Sequence, residues 1–212
     1  GCVLGYYNAI FGPFKPYVLK GLDKLEALGA DRVCPSHGPI LTKGVMLGEV
    51  IGDYRRWSTP APRDKKTIPL FYCSAYGNTA KLARAIAAGI KSVLPDAAAD
   101  IYDINDNDPA ALAAKINNCD AFLVGSPTIN RDAVRPVWTL VTSIDAINTK
   151  GRKCAAFGSF GWSGEAVPML NERLRSLKLD LFESGFTCRF VPSAEELSQA
   201  EEFGRRFAQA MV

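Results

Sequence analysis

The sequence predicts a doubly wound α/β domain over residues 67–212, a five-stranded parallel sheet in the order 2-1-3-4-5, preceded by part of another domain over residues 1–66. Three observations predict it. From Thr67 onward, short apolar runs alternate with amphipathic helical runs. Three of those apolar runs open into loops of small, hydroxylated and glycine residues. A stretch rich in proline and charge separates this pattern from what precedes it.

In the first part, residues 14–28 read as a helix, with Val18, Leu22, Leu25 and Leu28 at helical spacing and Gly29 as the stop. A strand over 32–35 leads to His37, the single histidine. One helix and one strand with this much apolar surface need a partner to bury it, so the segment reads as the tail of a larger domain. Residues 48–66, with Pro60 and Pro62, read as a linker, and Arg55, Arg56, Arg63, Lys65 and Lys66 as its solvated basic run.

In the second part, the strand that begins at Ile68 is followed by a helix over 80–93 and a strand over 98–104. Asp108 caps a helix over 109–118 with Pro109 at its first position, and an apolar strand follows over 121–125. Helices over 135–147 and 165–177 flank a strand over 153–157. A strand over 187–191 then precedes a last helix to Met211, opened by the capping box of Ser193 and Glu196.

The loops carry the chemistry. In SAYGNT, residues 74–79, Ser74 and Thr79 bring hydroxyls and Gly77 permits a sharp turn, while the amides through Ala80 sit at a helix N-terminus that favours an anion. No lysine or arginine lies in this loop, and neither GxxxxGK[ST] nor GxGxxG is present, so the pattern suits one terminal phosphate held by neutral donors. The plainer reading is a strand-to-helix turn with Asn78 as cap. SPTIN, 126–130, and GSFGWSG, 158–164, follow two other apolar strands, and in an open parallel sheet these carboxyl ends share the edge where ligands settle.

SAYGNT, SPTIN and GSFGWSG, in this order and spacing, resemble the three FMN-contacting loops of the flavodoxin-like domain of flavodiiron proteins, also called A-type flavoproteins. CPSHGPI, residues 34–40, resembles the end of that family's metallo-β-lactamase-like αββα domain. The resemblance implies a C-terminal stretch with the end of the diiron domain over 1–66 and a whole flavodoxin-like FMN domain over 67–212. It implies that Ser74, Gly77, Asn78 and Thr79 hold the FMN phosphate, with Ala75 and Tyr76 as rim. Pro127 fixes the second loop, where Thr128, Ile129 and Asn130 present polar groups to the flavin edge. In the third loop, Gly161 and Gly164 let the backbone approach, Phe160 and Trp162 stack, and Ser159 and Ser163 offer hydroxyls. Each has a plainer alternative: Tyr76 and Trp162 as half-buried surface aromatics, Thr128 and Asn130 as turn stabilisers, the two serines as bonded within their own loop. His37 matches the family's last diiron ligand, or is a capped loop residue; with no second histidine the chain as written does not hold a diiron centre.

The implied function is electron transfer from a rubredoxin or NAD(P)H-dependent reductase through FMN to a diiron site reducing dioxygen to water or nitric oxide to nitrous oxide, in a head-to-tail homodimer. The alternative is a stand-alone flavodoxin-like electron carrier or an FMN-dependent quinone reductase. A receiver domain of the same topology wants acidic residues after the first and third strands, where this chain has Cys73, Ser74, Gly125 and Ser126.

Composition agrees with a globular chain: 48% hydrophobic and 22% charged. Residues 1–66 carry 10 Lys/Arg against 6 Asp/Glu, and the remainder 15 against 16, without the dense basic patch that nucleic-acid binding wants. No apolar run reaches membrane-span length and no secretory signal is read, so a cytoplasmic protein with no membrane partner is the expectation. The six cysteines lack CxxC spacing and read as reduced; Cys73, Cys119, Cys154 and Cys188 fall in or beside strands as buried hydrophobes.

Overall fold

The computed structural model describes residues 2–60 and 64–212, the side chain of Cys2 excepted; the readings of Pro62 and Arg63 as linker and of the Cys2 thiol as reduced lie outside the described residues. The chain divides into two compact units, 1–63 and 64–212.

The first unit is built from helices α1 (Cys2–Ile10), α2 (Lys15–Leu28) and α3 (Leu47–Ser58), with a two-stranded antiparallel pair, β1 (Arg32–Val33) and β2 (Leu41–Thr42), between the last two. Gly29 closes α2 in the left-handed conformation, φ 60°, and its amide donates to the Glu26 carbonyl. Tyr7 is fully buried among Phe11, Tyr54 and Trp57, and its hydroxyl lies 2.6 Å from that of Ser58, joining α1 to α3. The linker reading of 48–66 is corrected here, since Leu47–Ser58 is helix. Of the basic run, Arg55 departs from the solvated reading by donating to Asp23 and Glu26 on α2, while Arg56, Lys65 and Lys66 are exposed as expected. Few large apolar side chains of this unit are buried, while Val3, Leu4, Ile10, Phe14, Tyr17 and Leu28 are exposed.

The second unit alternates β3 (Leu70–Tyr72), α4 (Asn78–Val93), β4 (Ile101–Asp103), α5 (Pro109–Asn118) and β5 (Ala121–Gly125). A small antiparallel hairpin of β6 (Thr128–Ile129) and β7 (Asp132–Ala133) follows, then α6 (Arg135–Thr142), β8 (Lys153–Phe160), α7 (Ala166–Ser176), β9 (Asp180–Leu181), β10 (Phe186–Arg189) and α8 (Ala194–Gln209). The main sheet runs β4-β3-β5-β8-β10, all parallel, which is the expected order 2-1-3-4-5, with β9 added beside the start of β8.

Alternate strand residues feed opposite faces, as the two-residue pleat requires. Leu70, Leu123 and Phe157 enter the core under α4 and α8; Phe71, Val124 and Ala156 enter the one under α5, α6 and α7. Asp108 caps α5 by accepting from the Ala111 amide, and Ser193 and Glu196 close the capping box that opens α8. Several expected boundaries move: the strand expected over 98–104 is Ile101–Asp103, that over 187–191 is Phe186–Arg189, and that over 32–35 is Arg32–Val33. The helix expected over 135–147 stops at Thr142, and the strand expected over 153–157 continues to Phe160 because Phe186–Arg189 pairs with it through that residue.

The described cysteines are free thiols; Cys73, Cys119, Cys154 and Cys188 are buried and Cys34 is exposed. Burial pushes Cys73 and Cys154 up to about 12 and Cys119 and Cys188 up to about 11. A raised thiol pKa keeps the reactive thiolate scarce below it, so at pH 8 these four are ionised in about one molecule per thousand or fewer. With Cys2 replaced by serine, a chromogenic disulfide reagent at pH 8 is expected to titrate Cys34 promptly. The other four are expected to react only after denaturation; a second prompt thiol contradicts this burial.

Candidate functional site

In the sheet order, chain progression reverses at β3, between β4 and β5, and a crevice opens outside the carboxyl ends of the strands at such a point. A cleft of about 590 Å³ lies here, lined by Ala75, Tyr76 and Asn78 after β3, Pro127 to Arg131 after β5, Ser159 to Ser163 at the end of β8, and Phe190 after β10. Three loops that lie far apart in sequence meet because all follow parallel strands of one sheet.

The first loop ends at Gly77, which takes φ 79° to start α4. Nothing lies within 4 Å of a Cβ added there, so the backbone conformation rather than space demands glycine. Gly77 brings no side-chain cap of its own, and of the first-turn amides that of Ala80 donates to Ser74 Oγ at 3.4 Å. The helix therefore presents amides and its positive dipole end towards the crevice edge.

Hydroxyl bonds tie the loops to one another. Thr79 Oγ1 and Ser159 Oγ lie 2.9 Å apart, both buried, linking the first loop to β8. Thr128 Oγ1 accepts from the Ala166 amide at 3.3 Å, bracing the second loop against the start of α7. Arg131 Nε donates to Glu165 Oε1 at 3.0 Å. The Glu165 carboxyl is held below the usual carboxylate range by its own backbone amide, then by the Ser163 hydroxyl and the Arg131 guanidinium.

Of the residues singled out in the sequence, Ala75, Tyr76, Asn78, Pro127, Thr128, Ile129, Asn130, Ser159, Phe160, Gly161, Trp162 and Ser163 line the cleft together. Ser74, Gly77, Thr79 and Gly164 do not line it; Gly77 is exposed, Thr79 is fully buried and Gly164 lies against the Phe160 ring. The third loop is shorter than expected, because Gly158, Ser159 and Phe160 belong to β8. Tyr76 and Trp162 are each 91% exposed, which replaces the half-buried alternative. Two lining residues were missed, Arg131 and Phe190, both with positive φ near 60°. Neither had a readable signal: Asn130-Arg131 is not one of the dipeptides that mark a two-residue hairpin, and Phe190 lies just past a strand end.

In the first unit His37 is exposed, its ring edge-on to Tyr6 at 6.3 Å. Among the described residues no three His, Cys, Asp or Glu side chains come together as metal ligands, and no helix is long and apolar enough to cross a membrane.

The flavodoxin family profile matches residues 70–204. The chain is 54% identical to the flavo-diiron protein FprA2 of Clostridium acetobutylicum over 97% of its own length and 52% of that protein's. It is 33% identical to a nitric oxide reductase of Moorella thermoacetica, covering 96% of this chain and 50% of that one. The solved rubredoxin oxygen:oxidoreductase of Desulfovibrio gigas superposes over 97% of this chain and 51% of that one, with a TM-score of 0.75 at 25% identity. The chain thus spans about half the length of the curated relatives it matches. On the switch-point cleft, the strand order and these matches, the chain belongs to the flavodiiron, or A-type flavoprotein, family, with a flavodoxin-like domain whose cofactor is FMN.

Proposed function

We propose that residues 67–212 hold FMN in the switch-point cleft as the electron-relaying part of a longer flavodiiron oxidoreductase, and that residues 1–66 are the end of its metallo-β-lactamase-like domain. The carrying observation is the cleft itself, where a helix N-terminus, neutral hydroxyl and amide donors and two exposed aromatic rings converge. That donor set fits FMN: a terminal phosphate at the start of α4 and a flat heterocycle against Tyr76 and Trp162. Bound FMN supplies reversible electron transfer. The chain's residues bind and orient: Asn78 and the α4 amides hold the phosphate, backed by Ser74 and Thr79, while Thr128, Ile129 and Asn130 address the ring edge.

The longer protein's partners and substrates extend this proposal. Relatives named nitric oxide reductase and rubredoxin oxygen:oxidoreductase support reduction of nitric oxide or dioxygen with rubredoxin as donor; an NAD(P)H-dependent reductase as the other donor and a head-to-tail homodimer as the working form belong to the proposal as what the family resemblance implies. Among the described residues no three His, Cys, Asp or Glu side chains come together to build an iron site. His37 is offered as a single ligand to groups supplied from outside this chain. The exposed apolar residues of the first unit favour this over a stand-alone carrier or quinone reductase, which has no use for such a unit.

The expected result of titrating the chain with FMN is saturable quenching of flavin fluorescence at one flavin per chain, with riboflavin binding more weakly because it lacks the phosphate. Equal affinity for the two removes α4 as the phosphate site. In protein isolated from its own source, about two iron atoms per flavin support the oxidoreductase, and flavin without iron supports the carrier.

A further inference from the structure

Among the described residues the cleft has one charged side chain in its lining, Arg131. It occupies the second position of the two-residue turn joining β6 to β7, with φ 60° after Asn130 at 51°. Such a turn takes glycine there readily, since side-chain-bearing residues enter the left-handed region at a cost. An arginine at this position calls for a use of its side chain.

That side chain is placed. Glu165 Oε1 accepts from Nε, while the two terminal nitrogens donate to no group among the described residues. The Arg131 side chain is 83% exposed and that of Glu165 only 26%, and Glu165 is not part of the lining. The cleft therefore meets the guanidinium end of an ion pair whose carboxylate lies outside the lining. The hairpin also leans on the third loop, through Thr128 at the Ala166 amide and Arg131 at Glu165. Arg131 thus stands beside the start of α7, where the third loop ends.

We propose that Arg131 sets the flavin's reduction potential: anchored by Glu165, its guanidinium faces the negative charge that the ring system gains on reduction and raises the midpoint. This rests on the FMN reading above. Two electrons and one proton convert oxidised flavin to its reduced anion, a gain of one negative charge; dithionite supplies the electrons in the test. Arginine keeps its proton across the working pH range, so its contribution is constant there. Salt weakens it, because the group is open to solvent.

The test compares R131Q, R131G and R131K with the unmodified chain, each loaded with FMN and titrated with dithionite against a reference dye. Affinities for FMN and riboflavin and thermal unfolding are measured alongside. R131Q and R131G are expected to shift the midpoint to more negative potential and R131K to stay near the parent value. R131G is expected to melt at or above the parent temperature, because the turn relaxes, which separates the charge effect from a structural one. A parent midpoint in R131Q overturns the proposal. So does an unchanged midpoint with loss of the preference for FMN over riboflavin, which moves Arg131 to the phosphate. Failure of the parent chain to bind FMN overturns the cofactor reading, and this proposal with it.

Discussion

Gly204→Ala is expected to destabilise the 64–212 unit by about 3 kcal/mol, at the upper end of what added core volume costs, because no side chain stands in the way to yield. A Cβ at Gly204 meets the Ile86 carbonyl oxygen at 2.1 Å, and one at Gly89 meets the Glu201 carbonyl oxygen at 1.9 Å. The two glycines face each other's helices, so α4 and α8 touch backbone to backbone, and either methyl group must push them apart. The separation also opens the core where Phe203 and Phe207 pack beside Leu82, Ile86 and Ile90. Since α4 begins at the end of the cleft proposed for the phosphate, the same displacement is expected to weaken FMN binding. Urea unfolding followed by far-ultraviolet circular dichroism measures the loss; a midpoint close to the parent's would mean that the two helices tolerate a wider crossing. Gly89→Ala is expected to behave in the same way, since its clash is equally with backbone.

How much of this was legible in the sequence depended on whether a signal was local. The cap at Asp108, the box at Ser193 and Glu196, and the apolar strand 121–125 each contain their own explanation within a few residues, and each is found where expected. Helix α3 was read as linker because what holds Arg55 is distant: Asp23 and Glu26 lie on another helix, and no side chain caps the start at Met46. Helix α1 gave no start or stop signal, and several of its apolar residues remain exposed. Strand β8 outran its apolar core because Gly158, Ser159 and Phe160 look like loop residues until β10 pairs with them. In the site, the loop residues were visible by type, but which of them line the cleft was not. Thr79 and Ser159 bond to each other across 80 positions, which no spacing rule reports. Phe190 reaches the cleft through tertiary contacts alone: it lies against Gly161, whose carbonyl accepts from Arg189.

The same distinction sets the expected result for the aromatic rim. Trp162→Ala is expected to weaken FMN binding about thirtyfold, from roughly 2 kcal/mol of lost stacking on a flat heterocycle, and Tyr76→Ala somewhat less. Both rings are 91% exposed, and neither packs against another aromatic ring among the described residues. Removing either ring therefore takes almost nothing from the folded chain, and the unfolding midpoint of the flavin-free protein is expected to stay within measurement error of the parent's. A binding loss without a stability loss is what separates a ligand-stacking ring from a structural one. The chain has three tryptophans, and Trp162 alone lines the cleft, whereas Trp57 belongs to the first unit and Trp138 donates to Asp132 beneath the hairpin. Most of the tryptophan quenching caused by FMN is therefore expected to disappear with Trp162. Unchanged Kd values in both single variants and in the double variant would place the isoalloxazine away from this rim, leaving the phosphate end at α4 as the only anchored part of the cofactor.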